Sequence, residues 1–332
     1  MSTLRIATFN AENFGDLPNQ KPPLAQDRIA LLRPQLLRLK ADILCLQEIN
    51  AQDKPGGRKL ADLDLLIANT PYAAYNRKFT TTKGSQTPYQ ERNLVVLSRY
   101  PITAVQQIYD EDCSQPLYRK MTALPPEAAP TKITWERPTF HVTIDLGAAG
   151  ILHVIVLHLK SKIPTDIDGQ KIDNYTWKSA AACAEGQFLS AMKRVAQACN
   201  VRMLLDKIFA DAQANNQGVP LIAVCGDFNS DIDDVPVVAI RGCVEETGNP
   251  ALTLQVMVPC ELSVPEDSRY SLLNLGQGTM LDHIIVSRSL LQYYRCTEIH
   301  NEVLPDESGA FRTDLKFPES DHAPVVAQFD VP

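Results

Sequence analysis

Long apolar runs, metal-spaced cysteine pairs and blocks of like charge are all missing from this 332-residue chain, and each absence removes a class of function. No stretch approaches the ~20 consecutive apolar residues of a membrane-spanning helix, so no integral membrane segment is expected. The amino terminus, MSTLRIATFN, passes straight into a strand-like run, with no basic segment followed by an apolar one. That pattern leads us to expect a cytoplasmic chain. The eight cysteines form no CxxC pair and no Cys/His spacing of a zinc site. Cys45 and Cys225 lie inside apolar runs, so reduced, buried thiols are expected, in keeping with a reducing compartment. Basic residues are outnumbered 32 to 39, for a net charge of −7. A protein that grips duplex nucleic acid non-specifically usually carries a basic face. Net acidity argues against such a binder, but leaves room for a nuclease using a cation and a few local basic residues.

What is present is an ordinary globular composition, 45% hydrophobic and 21% charged, ample for a sizeable core and unlike a disordered chain. Apolar runs mark strands at Leu4–Phe9, Asp42–Gln47, Asn93–Leu97, Ile102–Ile108, Thr139–Asp145, Ile151–Leu157, Pro220–Cys225, Met280–Val286 and Ala323–Phe329, with a less certain one near Tyr293–Val303. Helical spacing of Ile29, Leu32, Leu36 and Leu39 predicts a helix over Leu24–Lys40, started or kinked by Pro34. Further helices are expected over Leu60–Asn69, from about Tyr175 to Asn215, and briefly at Pro236–Ile240. Tyr109–Trp135 reads as an irregular surface loop or insertion, and the segment from Lys162 to Tyr175 as a polar loop. With no repeat and no low-complexity linker, sheets covered by helices in one domain spanning residues 1–332 are expected.

Polar residues collect where the buried strands end. Asn10 and Glu12 follow the first strand, and Glu48 the second. His158, Lys160 and Ser161 close the Ile151 run, and Gly226-Asp227-Phe228-Asn229 closes the Pro220 run. Asp282-His283 opens the Met280 run, and Ser320-Asp321-His322 precedes the last strand. Ligands gather in crevices at strand ends. Glu48, Asp321 and Glu12, with the amide oxygen of Asn10, form a hard-oxygen set suited to Mg2+ or Mn2+ rather than zinc. Asp227 and Asn229 could hold an attacking water. His322 and His158 could donate to a phosphoryl oxygen as its charge grows. Taken singly, each admits a plainer reading. Asn10 could end a turn, Gly-Asp-Phe-Asn could be one, and the Asp-His pairs could be caps or ion pairs. Glu48 is the most telling, because a carboxylate after an apolar strand is costly unless partnered. His141, His153 and His300 are expected to be structural.

In chain order, ATFNAENF (7–14), LCLQE (44–48), ERNLVVLSRYPI (91–102), HLKS (158–161), GDFNSD (226–231), LDHIIVS (281–287) and SDHAPV (320–325) span nearly the whole sequence. Together they resemble the endonuclease/exonuclease/phosphatase superfamily, which includes DNase I-like nucleases, abasic-site endonucleases, inositol polyphosphate 5-phosphatases and neutral sphingomyelinases. The resemblance implies an α/β (α+β) fold: a DNase I-like four-layer α/β/β/α sandwich, two packed mixed β-sheets flanked by helices. It implies an Mg2+- or Mn2+-dependent phosphoesterase, most simply a phosphodiesterase or nuclease using in-line water attack. Asn10, Glu48, Glu12 and Asp321 match its metal-side positions. Asp227 and Asn229 match the water-handling residues, His322 the phosphate-binding histidine, Asp282 its orienting partner and His158 a second histidine. Lys160 and Arg92 would contact substrate phosphate, while Arg137 looks structural. His283 stands where many relatives have an aromatic residue, so its role is open.

The partner implied is a phosphate ester, with nucleic acid among the candidates; no protein partner is implied. A sphingomyelinase- or inositol-phosphatase-like hydrolase is the alternative, although no polybasic patch supports a membrane version. A catalytically silent binding module is the third reading, and it predicts decay at the metal and water positions. Substrate choice should rest in the loops at 109–135 and 163–175, which match no subfamily pattern.

Overall fold

The computed structural model describes residues 2–109, 113–135, 137–308 and 317–332. Twelve strands form the frame: β1 (Ser2–Phe14), β2 (Ile43–Ile49), β3 (Asn76–Phe79), β4 (Asn93–Ser98), β5 (Ile102–Ile108), β6 (Thr139–Asp145), β7 (Ile151–His158), β8 (Leu221–Asp227), β9 (Met257–Pro259), β10 (Asp282–Ser287), β11 (Tyr294–Ile299) and β12 (Val325–Val331). They make two six-stranded sheets, in the orders β11-β12-β1-β2-β4-β3 and β9-β10-β8-β7-β6-β5. Both are mixed. Each has one parallel pair at its centre, β1 with β2 and β7 with β8, and antiparallel neighbours outside.

Side-chain alternation along the strands explains the layering. Leu4 and Ile6 of β1, Ile43 and Cys45 of β2, and Leu94 and Val96 of β4 face the opposite sheet. There they meet Phe140, Val142, Val154, Val156, Cys225 and Ile284 in a core closed to solvent. The intervening residues face outward. Phe9, Leu44 and Leu46 pack under two helices, α1 (Ala25–Leu39) and α2 (Ala61–Ile67). Ile155, Leu157, Ile222 and Val224 pack under α3 (Ala180–Ala214) and α4 (Val235–Arg241). The result is the four-layer sandwich that the sequence resemblance implied.

Several expectations need correction. Pro34 does not start α1; it lies inside the helix, and the buried stripe of Ile29, Leu32, Leu36 and Leu39 continues across it. The segment 113–135 is more than a surface loop. It carries a two-stranded ribbon (Leu117–Tyr118 with Thr131–Lys132), and its Ala123 and Ile133 join Ile167 and Leu189 in a small satellite core. Of the expected buried thiols, only Cys45, Cys225 and Cys260 are buried; Cys296 is exposed, and all eight are free. No helix among the described residues is long and apolar enough to cross a membrane.

Candidate active site

The site lies over the seam between the sheets, at the carboxyl ends of both parallel pairs. Strand β1 presents Asn10, and β2 carries Glu48 as its next-to-last residue. Across the seam, β7 ends at His158 and β8 at Asp227, which are direct register partners. Asp227 in turn stands opposite Asp282, the first residue of β10. His322 arrives on the loop before β12, itself hydrogen-bonded along β1.

Period-two alternation would send Glu48 outward, to the side of Leu44 and Leu46. A break in the β2–β4 register at this point, with φ of 59° at Glu48, redirects the carboxylate. Glu12 (φ 47°), Arg92 (59°) and Asn229 (49°) adopt the same left-handed backbone. Non-glycine residues held there carry strain, which clusters at functional sites. Gly226, ahead of Asp227, has φ of 145°, and a Cβ at that position would sit 2.0 Å from the Leu157 carbonyl oxygen. The two parallel strands can meet this closely only with glycine there.

Asp227 is the hub. Its Oδ2 accepts from Asn10 Nδ2 and Asn229 Nδ2, each at 3.0 Å, and its Oδ1 accepts from the Asn229 amide at 2.8 Å. His158 Nε2 lies 3.3 Å from Asp227 and 3.4 Å from Glu48, linking carboxylates of both sheets. His322 Nδ1 meets Asp282 Oδ2 at 2.6 Å, leaving Nε2 facing Asp227 and Asp321 at 3.9 Å each. Ser320 ties the loop down: its hydroxyl donates to the Asn10 carbonyl at 2.7 Å and accepts from the His322 amide.

Burial and crowding set the charge states. Burial alone would discharge His322, but Asp282, Asp227 and Asp321 overcome it and hold the imidazolium well above its ordinary pKa. His158 goes the other way: burial first, then Arg137, His322, Arg92 and Lys160, push it well below. Asp227 rises to about 7, through burial opposed by His322. Glu12 rises to about 8, through burial and then the neighbouring Asp321, which is itself raised by burial. The acids Glu12, Glu48 and Asp321 thus crowd one side of the seam, where Asp321 and Glu48 disfavour ionisation of Glu12, and Glu48 that of Asp321. Buried Oδ1 atoms of Asp321 and Asp282 have no hydrogen-bond partner. An orphaned carboxylate oxygen among mutually repelling acids fits a hard divalent cation. Asp227, Asp282 and His322 also place one potential ligand atom each within 4.8 Å of one another. The 2.6 Å bond from Asp282 to His322 makes an orienting pair the simpler account of that group.

The metal-side and catalytic candidates Asn10, Glu12, Glu48, His158, Asp227, Asn229, Asp282, Asp321 and His322 converge here, while Lys160 and Arg92 stand at the rim. Lys160 Nζ bonds Ser161 Oγ and the Ile163 carbonyl, and Arg92 Nε reaches Asn13 Oδ1 at 3.3 Å. Sequence reasoning missed several supporting groups. Arg28, buried in α1, donates to the carbonyls of Ala11, Glu12 and Pro318, pinning both acidic segments. Its signal was there, since it shares the apolar stripe with Ala25, Ile29 and Leu32. Arg137, read as structural, lines a hollow beside His158 with Trp135, Lys160, Lys193 and Gln197. Ser271, whose hydroxyl accepts from the Asp282 amide, left no sequence signal.

A family model, described as the Endonuclease/Exonuclease/phosphatase family, matches residues 7–322. The chain belongs to this family. No curated protein matches it by sequence search. Among solved structures, truncated Caenorhabditis elegans TDP2 is similar, at 14% identity and a TM-score of 0.56, over 98% of this chain and 97% of that one. An endonuclease/exonuclease/phosphatase from Beutenbergia cavernae is 16% identical, with a TM-score of 0.54, over 99% of this chain and 72% of its own. The 3′ phosphatase NExo from Neisseria, solved with a product DNA hairpin, is 16% identical, with a TM-score of 0.51, over 98% and 99%. At such identities these likenesses speak for the DNase I-like fold, and the members of the matched family are phosphoesterases.

Proposed function

We propose that this chain is an Mg2+- or Mn2+-dependent phosphodiesterase, most simply a nuclease, cleaving by in-line attack of water. One observation carries the reading: a buried carboxylate, Asp227, is fixed by two amides while an imidazolium, His322, faces it at 3.9 Å. An acid raised to about 7 is suited to take a proton near neutrality. In this reading Asp227 accepts the proton of the attacking water, and Asn229 and Asn10 hold that carboxylate in place. His322, kept charged by Asp282, donates to a non-bridging phosphoryl oxygen as negative charge builds up on it. The water oxygen bonds to phosphorus as the bond to the leaving oxygen breaks, and the departing oxygen takes its proton from solvent. His158, neutral and buried, donates a second hydrogen bond from across the seam.

A divalent cation held by Glu48 and Asn10, with Glu12 and Asp321 beside them, would supply Lewis-acid polarisation and charge neutralisation. Arg92, Lys160 and Arg137 border the His158 side. Their positive charge supports a polyanionic substrate in a chain that is acidic overall. A nucleic-acid phosphodiester fits that description, and the DNA-bound Neisseria neighbour is consistent with it.

The test is hydrolysis of bis-p-nitrophenyl phosphate beside the mono-ester, with Mg2+, with Mn2+ and with EDTA, and His322→Ala as control. Metal-dependent diester cleavage that is lost in the variant is expected. A mono-ester preference would move the substrate to nucleotide, inositol or other small phosphate esters. EDTA-resistant turnover would overturn the metal role.

A further inference from the structure

Beneath the site lies a second buried acid–histidine pair that the reaction outlined above does not use. His283 and Glu261 are both fully buried, and His283 Nδ1 lies 2.5 Å from Glu261 Oε1. Its other nitrogen, Nε2, lies 2.8 Å from the carbonyl oxygen of Ser230. A carbonyl only accepts, so Nε2 carries the proton there. A proton is then shared between Nδ1 and Glu261. Glu261 is fixed in turn by the Ile284 amide at 3.4 Å, and the ring packs edge-on against Phe228 at 4.9 Å.

Ser230 belongs to the turn Gly226-Asp227-Phe228-Asn229-Ser230-Asp231, so the Glu261–His283 pair grips, from behind, the loop carrying Asp227 and Asn229. Alternation along β10 makes this possible. Asp282 turns toward the seam and holds His322, while His283, the next residue, turns to the opposite face and holds the turn. Two adjacent residues thereby set the spacing between His322 and Asp227.

We infer that His283 and Glu261 are positioning residues for the water-handling turn, acting through the Ser230 carbonyl on Asp227 and Asn229. This rests on the phosphodiesterase reading above. An acid–histidine pair buried for packing alone would be a costly substitute for an apolar side chain. Asn229 holds a positive φ, and such a backbone persists only when its surroundings over-determine it.

The test uses side-chain length. A glutamine at 283 places its amide nitrogen near the position of Nε2, and an asparagine near that of Nδ1. His283→Gln, His283→Asn and His283→Phe are made in the wild-type and Glu261→Gln backgrounds, so that in one series no lone carboxylate is buried. Turnover of bis-p-nitrophenyl phosphate with Mn2+ is measured below each variant's melting temperature. His283→Gln should stay within about fivefold of its parent in kcat. His283→Asn and His283→Phe should lose ~30–100-fold in kcat with little change in KM, as expected for a misplacement of about 1 Å. Equal kcat for the Gln and Asn variants, or full activity in His283→Phe, overturns the inference.

Amide exchange of residues 227–232 gives a readout that does not need turnover. It should quicken by about tenfold or more in His283→Asn but not in His283→Gln. Absence of wild-type hydrolysis would count against the phosphodiesterase reading, and exchange alone would then decide this one. Exchange unchanged in His283→Asn overturns it.

Discussion

Single residues here act through shared partners, so their substitutions should not add. Asp282 holds His322 through a hydrogen bond of 2.6 Å. Asp282→Asn is expected to lower kcat by ~10²-fold or more, the range for losing a positioned acid. The double variant with His322→Ala should be no slower than His322→Ala alone; additive losses in steady-state kinetics would separate the two. Asn229 offers a different contrast. Its left-handed backbone suits glycine, whereas its amide serves Asp227. Asn229→Gly should therefore change unfolding free energy by less than about 1 kcal/mol, while kcat falls by ~10-fold or more. Arg28 makes the opposite case. Arg28→Met strands three carbonyls, and it should cost about 2–3 kcal/mol in denaturant unfolding.

Elements were legible where one periodicity governs, as in the apolar runs of β2, β7 and β8 and the stripe of α1. Legibility ended where the backbone departs from that period. Nothing in LCLQE states that Glu48 is turned into the seam, because a register break sets its direction. The chemistry-bearing residues were readable because each motif is local in sequence. Their supports were not, since Glu261 and His283, or Ser320 and Asn10, meet only after the strands have paired. Arg28 is the exception: a charge on a core-facing stripe demands partners, and that demand is visible beforehand. The β7–β8 contact yields its own expectation. Gly226→Ala drives a Cβ into the Leu157 carbonyl. Because His158 and Asp227 share that register, the variant should lose more than ~3 kcal/mol, with melting temperature and activity falling together.

For the molecule as a whole, the crowded acids make stability depend on pH and on cations. Asp227 and Glu12 have folded pKa values of about 7 and about 8, above their ordinary carboxylate values. A group raised on folding contributes stability that is complete below its unfolded pKa and lost as pH climbs through its folded one. Without divalent cation, the melting temperature should therefore fall between about pH 5 and pH 8.5. A cation that binds only the folded chain offsets that loss. The rise in melting temperature produced by Mg2+ or Mn2+ over EDTA should be larger at the alkaline end; an equal rise at both ends would remove Glu12 from the cation site.

The serine that ties the His322 loop to Asn10 joins positions 310 residues apart, and β12, which follows that loop, slots between β11 and β1 within the first sheet. Removing the segment from Ser320 onward would therefore take away together the β12 neighbour of β1 and the imidazole on which the proposed reaction rests, so that no chain shortened to end before Ser320 keeps the one and loses the other.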